Sequence, residues 1–225
     1  MLGIGFGTWA WGNQILWGYD SNQDDKILED TFNKAIKGGL SLVDTADSYG
    51  TGILNGRSET LLGEFIEKLP SKQIQKINIT TKLAPYPWRL GRKGFQKAFE
   101  ASKRRLKGHL DRVQLHWSTS RYFPWQEEAL IENLGDLIES ERIQEIGVSN
   151  LGPERLLYIH NTLKKRGIKL KSLQVQLSLL SPQRVTYFNA NIGKICKELN
   201  IDIIAYSPLS LGILSVPPGY KNKNK

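Results

Sequence analysis

The sequence predicts an α/β protein: a (β/α)8 TIM barrel, incomplete, with seven parallel strands and without the eighth strand and last helices. Three observations predict it. Short apolar or β-branched runs begin near Leu2, Leu40, Ile77, Val113, Ile143, Ser172 and Ile201, roughly 29 to 38 residues apart, a period that suggests a closed or stacked array. Amphipathic helical stretches lie between the runs, and strand alternating with helix implies parallel strands joined by right-handed crossovers. Polar residues gather at the ends of nearly every run rather than at one switch point, which favours a barrel over an open doubly wound sheet.

Each helix carries its own signals. The first opens at Ser21 with Asp24 three residues on, a capping-box spacing, and ends at Gly38-Gly39. Leu28, Phe32, Ala35 and Ile36 form its apolar stripe. The second starts near Ser58, turns Leu61, Leu62, Phe65, Ile66 and Leu69 inward, and stops before Pro70. The third carries Phe95, Ala98, Phe99 and Leu106. The fourth follows Pro124 with Leu130, Leu134, Leu137 and Ile138. The fifth has Pro153 in its first turn and Gly167 past its end, with Leu156, Leu157 and Leu163 between. The sixth shows Phe188, Ile192, Ile195 and Leu199. No linker interrupts the pattern, so residues 1–215 read as one domain and 216–225 as a polar Lys/Asn tail.

Composition narrows the function. At 225 residues the chain can bury a sizeable core. Its formal charge is +9, but the lysines are scattered over helix faces and the tail. Solvated faces and an anionic cofactor account for that charge without nucleic acid. Cys196 is the single cysteine, so no internal disulfide forms and a reducing cytoplasm is expected. Neither a signal peptide nor a membrane span is read. Cys196 reads as a core thiol, and His109 and His160 as surface or packing residues. No Cys/His/carboxylate set has zinc spacing, so no metal is expected.

The chemistry is expected at the strand ends. Leu40-Ser-Leu-Val-Asp44 ends on a carboxylate, and Tyr49 follows five residues later in a Gly-rich loop. Lys82 closes the run from Ile77, and His116 closes the run from Val113. Ser149-Asn150, Gln174 and Tyr206-Ser207 close three more. Any one of these alone would read as a cap or a solvated end. Together, a tyrosine, a lysine, a carboxylate and a histidine suit carbonyl reduction. A phenol near pKa ~10 is a poor acid at neutral pH, and a neighbouring ammonium lowers that value. The carboxylate holds the lysine, and the histidine orients the substrate carbonyl. The hydride must come from a cofactor. The early Gly3-x-Gly5-x-Gly7 lacks the third glycine and the following helix of a dinucleotide fingerprint.

With these residues in view, the sequence resembles an aldo-keto reductase over essentially its whole length. Asp44-Thr-Ala-x-x-Tyr49-Gly matches the family's first active-site motif, and Thr81-Lys82 and Leu115-His116-Trp117 match the rest of its tetrad. The resemblance implies Tyr49 as the acid and Asp44 as its support. It implies Ser149, Asn150 and Gln174 at the nicotinamide carboxamide and Tyr206 stacked on the ring. It also implies Ser207-Pro-Leu209 at the pyrophosphate, and Gly7-Thr8-Trp9 in the loop after the first strand. The cofactor so implied is NADPH, with NADH possible, and the substrate a small-molecule carbonyl compound. The chain departs from the family in lacking an initial hairpin and the region after Gly212, which reads as a fragment or truncated product with strands one and seven left as edges.

All six tryptophans lie at or just after strand ends, which predicts an aromatic mouth containing Trp11, Trp88 and Trp117. Two rival readings remain at this stage. One is a cofactor-binding regulatory or remnant protein without turnover. The other is a Schiff-base aldolase using Lys82.

Overall fold

A computed structural model describes residues 3–181 and 192–217 of the chain. Seven strands form one sheet in sequence order, and every neighbouring pair is parallel. They are β1 (Gly5–Gly7), β2 (Leu42–Asp44), β3 (Asn78–Leu83), β4 (Arg112–Leu115), β5 (Glu145–Ser149), β6 (Leu170–Gln176) and β7 (Asp202–Tyr206). The helices are α1 (Gln14–Trp17), α2 (Ser21–Lys37), α3 (Arg57–Glu67), α4 (Ser71–Ile74), α5 (Gly91–Arg105), α6 (Pro124–Glu139), α7 (Pro153–Lys164) and α8 (Ile192–Glu198). Phe188 and residues 218–225 of the predicted tail lie outside the described residues.

The sheet is curled, and side chains show by how much. Gln174 on β6 donates to Asp44 Oδ2 on β2 at 3.1 Å. Those strands stand four places apart in the sheet, and neighbouring strands are ~4.8 Å apart, so a flat sheet could not bring the two groups together. The seven strands therefore form a nearly closed barrel. Among the described residues β1 and β7 are the two ends of the strand order, and much of β7 is exposed.

Alternation along the strands sorts the side chains. Val43, Ile79, Val113, Leu115, Ile146, Val148, Leu173 and Val175 are buried in the apolar layer under the helices. The intervening positions hold polar groups that meet inside the barrel. Arg112 on β4 pairs with Glu145 on β5, and Gln114 on β4 donates to Gln174 on β6 at 3.2 Å. Gly147 makes room for this layer, because a Cβ there would strike the Ser172 hydroxyl and the Gln114 amide. The barrel interior at this level is thus a hydrogen-bonded polar network.

Helix packing supplies the rest of the core. Phe32 of α2, Phe65 of α3, and Phe95 and Phe99 of α5 are all buried, each stabilising the fold by about 1.5–3 kcal/mol relative to exposure. Gly63 lets α3 approach the end of α5, where a Cβ would collide with the Arg105 backbone oxygen. The α2 cap lies one residue before the predicted start. Asp20 accepts from Asn22 N, and Asp24 accepts from Asp20 N at 2.8 Å, a reciprocal cap. No helix among the described residues is long and apolar enough to cross a membrane.

Candidate active site

Four groups from three strands meet at the C-terminal mouth of the barrel. Lys82 Nζ donates to Asp44 Oδ2 at 2.6 Å, to the Thr45 carbonyl oxygen at 2.8 Å, and to Tyr49 Oη at 3.1 Å. Those contacts take up all three ammonium hydrogens. The ammonium also lies 4.8 Å from the centre of the Tyr49 ring. The His116 ring stands edge-on to Tyr49, with centroids 5.8 Å apart. Strand register explains the meeting: Gly7 aligns with Asp44, and Asp44 with Thr80, two residues before Lys82.

Protonation follows from burial and charge. Burial opposes the charge on Lys82, but Asp44 and Tyr49 outweigh it and hold the pKa above the ordinary lysine value. Lys82 is therefore an ammonium at neutral pH, the wrong state for Schiff-base attack. Burial pushes the Tyr49 phenol up, Lys82 pulls it down, and the net pKa is raised. The expected ammonium effect is present, but desolvation exceeds it. Burial, aided by Lys82 and Arg89, drives His116 down to about 3, so its imidazole is neutral.

The rim carries the other predicted groups. Ser149 and Gln174 are buried, and Asn150 is exposed with φ +60°. Asn150 Nδ2 donates to Ser149 Oγ at 3.1 Å and to the His116 carbonyl oxygen at 3.3 Å. Tyr206 Oη donates to Asn150 Oδ1 at 2.9 Å. Ser207, with φ +49°, turns the chain after β7, and Leu209 is exposed beyond it. Gly7 has open space where a Cβ would stand.

This rim fits a nicotinamide cofactor by its donor set. Asn150 and Gln174 are themselves carboxamides, able to give and accept as another carboxamide requires. Among the described residues, Asp44 Oδ1 is a buried oxygen with no hydrogen-bond partner.

Two predicted contacts need correction. Trp11 is 3% exposed and lies in the core, edge-on to Phe6, Phe32 and Phe65. It closes the space between β1 and helices α2 and α3, away from the mouth. Thr8 is also fully buried. Its hydroxyl donates to the Asp44 carbonyl oxygen at 3.2 Å and accepts from Ser58 Oγ at 2.7 Å. Its side chain supports the strand end and has no free face for a cofactor. Trp9 is partly exposed and packs edge-on against Trp17.

The other two predicted tryptophans pack around Tyr86 and His116. Trp88 is 71% exposed and stacks on Tyr86, with centroids 4.4 Å apart and planes at 13°. Trp117 lies edge-on to Tyr86 at 5.8 Å and against His116 at 4.9 Å. Tyr86 adds a ring that the strand-end pattern does not single out, although it stands two residues before Trp88. Asp47 and Arg89 likewise carry no sequence signal of their own. Arg89 Nη1 donates to Asp47 Oδ2 at 2.5 Å and to the Ala84 carbonyl oxygen at 2.6 Å. Gln126 Nε2 donates to the Tyr86 carbonyl oxygen at 2.6 Å. These bonds pin the loop between β3 and α5 that carries the aromatic stack.

Comparison with known proteins gives the family of this barrel. The model of the Aldo/keto reductase family matches residues 3–224, and the chain belongs to that family. It is 50% identical over 216 residues to "Pyridoxal reductase, chloroplastic" of Arabidopsis thaliana, covering 94% of this chain and 58% of that protein. It is 30% identical over 208 residues to "Methylglyoxal reductase YeaE" of Escherichia coli, covering 92% of this chain and 64% of that protein. The chain thus spans less than two thirds of either relative's length. Among solved structures, the glycerol dehydrogenase AKR11B4 from Gluconobacter oxydans superposes with TM-score 0.74 at 24% identity, covering 98% of this chain and 65% of that one. The thermostable aldo-keto reductase Tm1743 gives TM-score 0.74 at 23% identity, covering 94% of this chain and 70% of that one. At those identities the two structures show the shared fold. The family it belongs to consists of oxidoreductases that use nicotinamide cofactors on small carbonyl compounds.

Proposed function

We propose that this chain reduces an aldehyde on an aromatic heterocycle, of the pyridoxal kind, to the alcohol, with Tyr49 as proton donor. One observation carries the assignment of the acid. Lys82 donates to Tyr49 Oη, so the phenol oxygen is already an acceptor and its own hydrogen is free to be given. A reduced nicotinamide, when bound, would supply the hydride. Tyr49 gives its proton to the carbonyl oxygen, and Lys82 steadies the phenolate left behind. Asp44 keeps Lys82 charged. Neutral His116 donates a second hydrogen bond to the same oxygen and fixes its direction.

Ser149, Asn150, Gln174 and Tyr206 would hold the nicotinamide end of the cofactor, with Gly7, Trp9, Ser207 and Leu209 beside it. NADPH is the proposed form, because an extra phosphate suits a chain of charge +9. Trp88 and Trp117, with Tyr86, offer flat faces to a planar ring. The identity to the Arabidopsis pyridoxal reductase supports pyridoxal as the first substrate to test. The proposed setting is a reducing compartment: the cytoplasm read from cysteine usage, or the plastid that the relative's name gives.

The test follows loss of reduced-nicotinamide absorbance with pyridoxal, methylglyoxal and a generic aldehyde, using NADPH and NADH in turn. Pyridoxal with NADPH should give the highest kcat/KM. Cofactor binding without turnover on any aldehyde would overturn the proposal in favour of a binding protein. Borohydride trapping of substrate on Lys82 would overturn it in favour of aldol chemistry.

A further inference from the structure

We infer that Gln114 is a positioning residue: it fixes the amide of Gln174 with its nitrogen toward Asp44, and so sets which atoms Gln174 shows to a nicotinamide carboxamide. The cofactor half of this inference rests on the reductase reading of the same site.

Asp44 pairs with the Lys82 ammonium as a carboxylate, and a carboxylate only accepts hydrogen bonds. The Gln174 atom that meets Asp44 Oδ2 at 3.1 Å is therefore the amide nitrogen. Gln174 Oε1 is thereby turned to Gln114, whose Nε2 donates to it at 3.2 Å. Gln114 Oε1 in turn accepts from Ser172 Oγ at 3.3 Å. Arg112 Nη1, a group that only donates, stands 3.5 Å from that hydroxyl oxygen. The row thus runs one way, from a guanidinium to a carboxylate. Turning either amide over would set donor against donor and acceptor against acceptor. Gln114 and Ser172 are fully buried and Gln174 is 3% exposed, so water would not make good the loss.

Strand register places the row. Lys82, Gln114, Gly147 and Ser172 align in turn across β3 to β6. Gly147 is the gap across which Gln114 and Ser172 meet, since a Cβ there would strike both. The row ends on the oxygen that also accepts from Lys82 Nζ at 2.6 Å. Gln114 therefore acts, through Gln174, on the carboxylate that holds the ammonium beside Tyr49. A glutamine amide has two N–H groups and two lone pairs. With one of each spent in the row, one N–H and one lone pair of Gln174 remain at set positions for another carboxamide. Gln114 holds the oxygen end and Asp44 the nitrogen end, so neither end can swing.

Neutron diffraction from deuterium-exchanged crystals of the 225-residue chain reads the polarity directly. Deuterons should lie on Gln174 Nε2 toward Asp44 and on Gln114 Nε2 toward Gln174. The second measurement is NADPH affinity, by fluorescence titration of wild type, Gln114→Met and Gln114→Glu, each first checked for a wild-type circular dichroism spectrum. Gln114→Met removes the donor and should weaken NADPH binding about tenfold. Gln114→Glu keeps the shape better but turns an acceptor toward Gln174 Oε1, and should weaken binding further at about pH 8, where a carboxylate is ionised. The opposite order, with Gln114→Glu the milder change, is what a space-filling role gives, and it overturns the inference. So does either variant binding NADPH as tightly as the wild type, or deuterons in the reverse order. A wild type with the neutron pattern intact but no NADPH binding supports the amide polarity and counts against the reductase reading alone.

Discussion

Replacing Lys82 by methionine tests the centre of the site. The side chain of Lys82 is 3% exposed and that of its partner Asp44 is 14% exposed. Methionine keeps most of the length and volume, so little cavity forms. What is lost is three hydrogen bonds and a buried countercharge. Among the described residues, Asp44 Oδ2 would keep only the Gln174 amide at 3.1 Å, and Oδ1 has no partner to take up the difference. Removing one member of a buried pair costs about 3–5 kcal/mol, so denaturant midpoints should fall by that much at unchanged slope. Aldehyde reduction should fall by about two to four orders of magnitude, because the phenolate left by proton transfer has lost its ammonium. The double variant Asp44→Asn with Lys82→Met should recover much of the stability but none of the rate. The folded pKa of Lys82 is raised. Its stabilisation is therefore full below the ordinary lysine value and lost only as pH rises through the folded one. The Lys82 ionisation itself therefore adds no slope to the wild-type stability curve across neutral pH. A cost under about 1 kcal/mol with strict additivity in the double variant would refute the pairing argument.

The other expectations are shorter. His116 titrates at about 3, so the pH–rate profile for reduction should show no step near the ordinary histidine value; a step that vanishes in His116→Gln would contradict this. The Tyr49 phenol is raised above its ordinary value, so the alkaline loss of reduction should begin above about pH 10. Burial lifts the Asp47 carboxyl from 3.8 to about 7 against the pull of Arg89. The folded state then binds its proton more tightly than the unfolded chain, and the stability this gives is present at low pH and lost as pH rises through 7. Asp47→Asn should remove a slope of about 1.4 kcal/mol per pH unit between about pH 5 and 7, measured by urea midpoints; an unchanged slope would count against burial as the cause. Saturating pyridoxal should quench tryptophan emission, and Trp88→Phe should remove part of the quenching. Equal quenching in that variant would take Trp88 out of the mouth.

The sequence carried the barrel because each strand run had its own register of apolar and polar positions, and each helix its own stripe. The four central groups were legible for a related reason. Parallel strands all end at one mouth, so residues closing separate runs are brought together by topology alone. The failures share a different cause. Trp11 and Thr8 sit in the loop after β1 with the right spacing for the mouth, but that loop folds back so that both side chains enter the interior. Tyr86, Asp47 and Arg89 depend on contacts between loops, and Asp47 and Arg89 are 42 residues apart in the chain. Charge counting foresaw the pull of Lys82 on Tyr49, but the extent of burial is set by packing, and burial decided the net direction. Helices α1 and α4 have four residues each, too few for a 3.6-residue period to register.

The most direct measurement mixes the 225-residue chain with stoichiometric NADPH and excess pyridoxal, and follows cofactor oxidation and alcohol formation in wild type and Tyr49→Phe. One alcohol should form per NADPH consumed in the wild type. Tyr49→Phe should be slower by about a hundredfold or more, with cofactor fluorescence on binding unchanged. Equal rates in the two proteins would mean that the proton comes from somewhere else.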